Sequence, residues 1–259
     1  TLFRSPAAGT AQGLGGKGDT SGERGQVTVD DVALFSARFS GGVLVNIASN
    51  MAQFGFLFFL TQHMQLVVGM DSFTAGLMII PGMTLAIVSG LVGARWAGTA
   101  GPRTVVVTGV LLIAAGYGVI AVFANESWWP LTLGYAVLSL GLGFSTTLST
   151  ELVVGSVPPE KSGSASAISE TAYEFGSVMG TAVLGGLTTM VFGRQLASHL
   201  GERAEDPAFE TLGSALERAG EIGGRLGDEL ADTVVRAFDL GVQWAAGGAT
   251  VVVLTAAVL

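Results

Sequence analysis

Two acidic residues, Glu170 and Glu174, lie in a stretch from 162 to 193 that contains no other charged residue. A spacing of four places both side chains on one face of a helix. An acid in the core of a bilayer costs about 2.5 kcal/mol or more unless it faces a cavity, has a partner or is neutral. The pair therefore predicts a site for protons and cations, with Glu174, the deeper acid, as proton carrier and Glu170 as cation contact. The alternative is a protonated glutamate that is hydrogen-bonded to a neighbouring helix.

Polar residues also interrupt the first apolar stretch of the sequence. Asn46, Asn50 and Gln53 follow one another at i, i+4 and i+7, which predicts a polar stripe along one helix face. Such a stripe must face protein or water rather than lipid. Two interpretations stay open: hydrogen bonds between helices, worth about 0.6 kcal/mol each, or the lining of a cavity. Tyr173, beside Glu174, is a further candidate for that lining.

The composition indicates which kind of molecule carries these residues. Of the 259 residues, 49% are hydrophobic and 12% are charged, whereas soluble domains carry about 25% charged residues. The sequence therefore predicts an integral protein of the lipid bilayer, and its net charge of −8 disfavours a nucleic-acid partner. It has no cysteine, two histidines and no enzyme motif, so we expect no metal, no catalytic residue and no enzyme. His63 is interpreted as an interfacial imidazole rather than a ligand.

The gaps between charged residues set the predicted membrane spans, because a bilayer core about 30 Å thick needs about 20 apolar residues. An all-α bundle of six spans is predicted, at about 41–63, 73–94, 104–125, 129–153, 162–193 and 240–259. Residues 1–29 are predicted to be a flexible linker or a truncated end, and residues 30–259 to be the transmembrane bundle. Residues 194–239 are acidic and amphipathic, which predicts an external loop with a helix on the membrane surface.

Cations in the short loops predict the orientation. Arg95 and Arg103 lie between the second and third spans, and Lys161 lies between the fourth and fifth. Because cytoplasmic loops carry an excess of Lys and Arg, we place these loops inside the cell and residues 194–239 outside. The prediction is a multi-pass protein of the cell (plasma) membrane.

Two features of the spans concern packing. Gly176 and Gly180 form a GxxxG motif in the fifth span, for which close approach of two helices is a sufficient explanation. The third span, 104–125, is almost wholly apolar, and we expect it to face lipid.

Four stretches of the sequence carry a resemblance to one family pattern. Residues 61–69, TQHMQLVVG, are close to QYLQxxxG and are followed by AGL and Pro81, and residues 170–176, ETAYEFG, are similar to ETxY(E/D)xG. Supporting matches are RAF at 236–238 with Gly241, and DVALF at 31–35. The chain thereby resembles the fourteen-helix drug:proton antiporters of the major facilitator superfamily, of the type that exports quaternary ammonium compounds. Ala94 stands where the superfamily often has Asp, so no gating role is carried over to Arg95 or Arg103.

The resemblance implies that residues 30–259 are helices nine to fourteen, the C-terminal bundle of a transporter whose N-terminal bundle is not in this sequence. It implies export of lipophilic, often cationic compounds, with protons as the coupling ion and no other cofactor. The sequence begins at Thr1 and ends in an apolar stretch, so we expect a fragment with a truncated last helix. Two alternatives stay open: a facilitator for another small molecule, and a membrane scaffold whose working part is the loop 194–239.

Overall fold

The computed structural model describes residues 37–123, 128–201 and 206–258, and these ranges fold into helices. The described α-helices are α1 Ala37–Gln62, α2 Ser72–Ala100, α3 Pro102–Phe123, α4 Trp128–Gly155, α5 Ser162–Met179, α6 Gly185–Leu200, α7 Leu212–Ile222 and α8 Gly224–Val258. A π-helical turn, His63–Val67, ends α1, and another, Gly180–Leu184, joins α5 to α6. Short 3₁₀ turns lie at Pro159–Lys161 and Pro207–Phe209. The predicted linker 1–29 lies outside the described residues.

Six helical segments of the described chain are long and apolar enough to cross a membrane. They are Phe39–Val67, Ser72–Ala100, Pro102–Phe123, Trp129–Gly155, Pro159–Leu200 and Gly224–Thr255. The predicted all-α fold with six spans is therefore confirmed. The boundaries differ most in the fifth and sixth segments, which are 42 and 32 residues long.

The junctions between the early spans follow from local sequence. Asp71 caps α2, because its carboxylate accepts hydrogen bonds from the backbone nitrogens of Phe73 and Thr74. Gly101 ends α2 with a φ of +85°, a conformation that glycine adopts without strain. Pro102 then begins α3, at the helix position where its missing N–H is harmless.

Helix α1 packs against α4, α5 and α8, and α4 also packs against α2 and α3. Between α1, α3 and α4 lie three aromatic residues, Phe56, Tyr117 and Tyr135, which are fully buried. Phe56 and Tyr135 stack with ring centroids 5.7 Å apart, and the hydroxyl of Tyr117 donates to the carbonyl of Ala52. Helix α2 is more exposed than α3, the span that we expect to face lipid: of the 18 most apolar consecutive residues, 22% are buried in α2 and 39% in α3. Lipid contact of α3 stays a prediction.

Residues 189–200, 212–222 and 224–238 form a group that we call the helical projection. Thr188 of α6 touches Gly241 of α8. Helix α6 continues past this contact to Leu200, and α8 begins well before it, at Gly224. The region predicted as a loop is therefore mostly helix. Part of its apolar face is covered within the described residues, because α7 buries Leu212, Ala215 and Ala219 and packs along α8. Ile222 and Leu226 stay exposed, and contact of this segment with the membrane surface stays a prediction.

Candidate functional site

The two acids of the fifth span lie on a face of α5 that the described bundle leaves open. Glu170 and Glu174 are exposed. The opposite face of α5 is buried and is formed by Ala165, Ser169, Ala172 and Gly176. Within the described residues, neither acid has an ion pair or a side-chain hydrogen bond. The fold therefore presents two neighbouring carboxyl groups on an accessible surface of a membrane-spanning helix.

Tyr173 lies between the two acids in sequence, and its side chain packs against α1. Its ring meets that of Phe54 edge to face, with centroids 5.8 Å apart and an interplanar angle of 88°. Tyr173 is partly exposed, and it lies in the same stretch of helix as the two carboxyl groups. An aromatic face next to carboxylates is a chemically suitable surface for an organic cation.

Behind the acids, a polar junction joins three helices. Asn46 of α1 donates to the hydroxyl oxygen of Thr150 on α4 at 3.3 Å, and the hydroxyl of Ser169 on α5 donates to the same oxygen at 3.3 Å. Asn50 donates to the side-chain oxygen of Asn46 at 2.9 Å. The junction thus links Ser169, which precedes Glu170, through the exposed Thr150 to the buried Asn46.

The burial of Asn46 and Asn50 bears on the two interpretations of the polar stripe. Asn46 is 3% exposed and Asn50 is 0% exposed, so both lie among helices and favour the hydrogen-bonding interpretation over cavity lining. Gln53 and Tyr173 are partly exposed, and for them cavity lining stays a prediction. The side-chain oxygen of Asn50 has no hydrogen-bond partner among the described residues.

The glycines of the fifth span lie against the backbone of α1. A Cβ built on Gly176 would stand 2.6 Å from the carbonyl oxygen of Ile47 and 3.1 Å from the Cβ of Asn50. These distances leave no room for a side chain. The glycines therefore bring the acid-bearing helix into close contact with α1.

Arg95 lies near the C-terminal end of α2 and Arg103 near the N-terminal end of α3, and both are exposed. The guanidinium of Arg95 approaches only its own helix, at 3.4 Å from the carbonyl oxygen of Leu91. The described residues contain no cluster of His, Cys, Asp and Glu that could hold a metal ion.

The structure also brings together a pair that the sequence reasoning missed. His63 Nδ1 lies 3.4 Å from Asp239 Oδ1, and each side chain is 8% exposed. The interfacial position expected for His63 stays a prediction, but its burial and its carboxylate partner were not foreseen: α8 packs against α1 and supplies Asp239. The available signal was weak, since the two residues are separated by most of the chain: His63 lies near the end of the first predicted span and Asp239 directly before the last one.

Known proteins resemble this chain over most of its length. The family profile of the Major Facilitator Superfamily matches residues 33–198. The "Multidrug efflux pump LfrA" of Mycolicibacterium smegmatis is 38% identical over 231 residues, which are 88% of this chain and 46% of the relative. The "Tetracenomycin C resistance and export protein" of Streptomyces glaucescens is 30% identical over 245 residues, 88% of this chain and 45% of the relative. The "Methyl viologen resistance protein SmvA" of Salmonella typhimurium is 27% identical over 215 residues, 80% of this chain and 43% of the relative. The chain thus spans less than half the length of these relatives.

Proposed function

The chain belongs to the major facilitator superfamily, and we propose that it is the C-terminal, six-helix half of a transporter that exports lipophilic, often cationic compounds in exchange for protons. As a member of this superfamily with six helices long enough to cross a membrane, the chain is an integral, multi-pass membrane protein of a transporter family rather than an enzyme.

The single observation that carries the proposal is the open face of α5 with Glu170 and Glu174. In a low-dielectric medium a carboxylate is strongly disfavoured unless a proton or a cation neutralises it. The described residues offer these acids no basic partner. Each acid is therefore available for a proton or for an external cation, and the two compete for it. This competition couples cation binding to proton release without further machinery.

The names of the relatives support the direction and the kind of substrate. One relative is named as a multidrug efflux pump and another as a resistance and export protein. No Lys or Arg lies within the six predicted spans, so these spans offer no lysine or arginine side chain for an anionic substrate. This favours neutral and cationic compounds over anions.

The partner of this half is the N-terminal bundle, and the length of the relatives argues for it. The chain corresponds to 46% of the multidrug efflux pump that it resembles. The open face of α5 also exposes Phe175 and Val178, which are 54% and 64% exposed beside the acids. An apolar face around two carboxyl groups suits the wall of a central cavity between two bundles. Rocking of the bundles around this cavity would give alternating access.

The test uses the full-length protein, reconstituted in liposomes with a fluorescent organic cation such as ethidium. An imposed proton gradient should drive the cation against its own gradient, and a protonophore should abolish this movement. Accumulation that persists without a proton gradient would refute proton coupling. Movement of anions in preference to cations would refute the substrate class.

A further inference from the structure

His63 and Asp239 lie where the helical projection joins the membrane-spanning bundle. His63 opens the π-helical turn that ends the first span, and Asp239 lies on α8 two residues before Gly241, which touches α6. The pair is remote from the acids of α5. Gly176, beside those acids, contacts Ile47 and Asn50 of α1, and His63 follows Asn50 by thirteen residues, about 20 Å along a helix.

The pair is buried, and its charge balance depends on one group. Asp239 is 6% exposed, and its Oδ1 has no hydrogen-bond donor among the described residues. The His63 nitrogen at 3.4 Å is at ion-pair distance from that oxygen. A buried carboxylate without a counter-charge is strongly destabilising. Hence the charge of Asp239 is compensated when the imidazole of His63 is protonated and is uncompensated when it is neutral.

No other charged side chain in the described part of the chain pairs with His63 or Asp239. The ionisable groups on the surrounding elements are exposed: Asp71 before α2, Arg103 on α3, Arg194 and His199 on α6, Glu217, Arg218 and Glu221 on α7, and Arg225, Asp228, Glu229, Asp232 and Arg236 on α8 itself. Arg218 is paired with Glu221 at 2.9 Å. Two buried tyrosines lie further inward: Tyr117 of α3 donates to the Ala52 carbonyl, and Tyr135 of α4 stacks on Phe56. The pair is therefore an isolated unit.

We propose that His63 and Asp239 form a second proton-binding site, which fastens the end of the first span to the base of the helical projection. One proton from the water on that side of the membrane binds the imidazole, and the site then holds a neutral ion pair. When the proton leaves, the site carries a net charge of −1 in a buried position. The end of α1 and the base of α8 then separate so that water can reach Asp239.

His63 belongs to a π-helical turn, which can change its conformation more readily than a regular α-helix. The turn His63–Val67 is the last helical element before Asp71 and α2, and π-helical turns are less regular than α-helix and recur at functional positions. Release of His63 therefore needs to disturb only the end of the first span. The proposal goes beyond the export function and does not depend on Glu170 or Glu174.

The experiment is a double-mutant cycle on the purified full-length protein, read as the midpoint of thermal unfolding at pH 5.5 and pH 8. The variants are His63→Gln, Asp239→Asn and the double variant, with His199→Gln as control, because His199 is exposed on the helical projection. At pH 5.5 each single variant should lower Tm by about 4 °C or more, and the double variant by less than the sum. At pH 8 the non-additive part should disappear. The His199 variant should leave both results unchanged.

Non-additivity of equal size at both pH values, or none at either, would overturn the proposal. Where a single variant fails to fold, hydrogen exchange of the wild-type protein gives the answer. Backbone amides near 60–70 and 234–242 should lose protection at pH 8 relative to pH 5.5, after correction for intrinsic exchange rates, and unchanged protection counts against the site. A Glu174→Gln protein should keep this pH response even if it loses export, which separates the two proposals.

Discussion

Gly180 and Gly55 are in backbone contact across the interface between the fifth and first spans. A Cβ built on Gly180 would stand 3.0 Å from the backbone nitrogen of Gly55, and one built on Gly55 would stand 3.0 Å from the carbonyl oxygen of Gly180. Membrane helices gain most of their association from such close packing, because lipid gives no hydrophobic drive between them. This contact holds the helix that carries Glu170 and Glu174 at a fixed distance from α1.

Gly180→Ala should therefore destabilise the protein by about 1–3 kcal/mol, since the added methyl group has no space and the helices must move apart. Gly186→Ala is the matched control: it lies on the same span, and a Cβ there meets nothing within 4 Å. The free energy of unfolding in mixed micelles measures both. Equal effects of the two substitutions would show that the backbone contact is unimportant.

Thr150 is the hydroxyl that joins α1, α4 and α5 in the polar junction. Thr150→Val should lower the free energy of unfolding by about 0.6–1.7 kcal/mol, because Asn46 and Ser169 lose their shared acceptor. Thr146→Val is the control, since the Thr146 hydroxyl donates to the Leu142 carbonyl of its own helix at 2.9 Å. If both valine variants are equally stable, the junction contributes nothing beyond what any threonine on α4 contributes.

The six spans could be predicted because each one is a property of a continuous stretch: the absence of charge over about 20 residues is visible in the sequence. The face shared by Glu170 and Glu174 could also be predicted, because it follows from local spacing. The helices against which each span packs could not be predicted in this way. Nothing near Thr150 indicates that it receives Asn46 from one helix and Ser169 from another.

The same limit explains the miss at His63. Its burial depends on α8 crossing the end of α1, and helix neighbours in a bundle are decided by packing among distant segments. The extent of α8 was also missed. The charged residues between 224 and 239 indicate that the span begins after them, whereas the helix already begins at Gly224. Charge sets where a helix leaves the bilayer and does not set where the helix ends.

The orientation can be tested with single cysteines, because the sequence has no cysteine of its own. A cysteine at Ser214, on the helical projection, should react with a membrane-impermeant maleimide in intact cells. A cysteine at Gly98, exposed near Arg95, should react only after the cells are permeabilised. The reason is the excess of Arg in the loop between α2 and α3. The reverse labelling pattern would invert the proposed topology.

Asp71 predicts a pH dependence that is confined to the start of α2. The hydroxyl and the backbone N–H of Thr74 both donate to its carboxylate, which lowers the pKa of Asp71 below its ordinary value. A lowered pKa in the folded state stabilises the fold above the unfolded pKa of about 3.9 and is lost as the pH falls through the folded value. Exchange of the Phe73 and Thr74 amides should therefore be protected alike at pH 7 and pH 5 and lose protection below about pH 4. Asp71→Ala should remove the protection at all these pH values, whereas Asp71→Asn, which still caps a helix, should retain it. A loss of protection between pH 7 and pH 5 would contradict this assignment.

Glu170 and Glu174 of α5 should be required for proton-driven export by the full-length transporter. Glu174 lies one turn deeper in the span than Glu170, so its ionised form depends more on neutralisation by a proton or a cation. Glu174→Gln should abolish proton-driven export while the protein still inserts and folds, and Glu170→Gln should weaken export of divalent cations more than of monovalent ones. Glu217→Gln is the matched control, because this glutamate is exposed on α7, outside the spans, and should export at the wild-type rate. Initial rates in liposomes with an imposed proton gradient measure all three. Because Glu170 and Glu174 lie one turn apart, one acid can take over the role of the other in a single variant, so the double variant is decisive. Export at the wild-type rate against a gradient by the double Gln variant would make both acids structural and would end the antiport mechanism proposed for this chain.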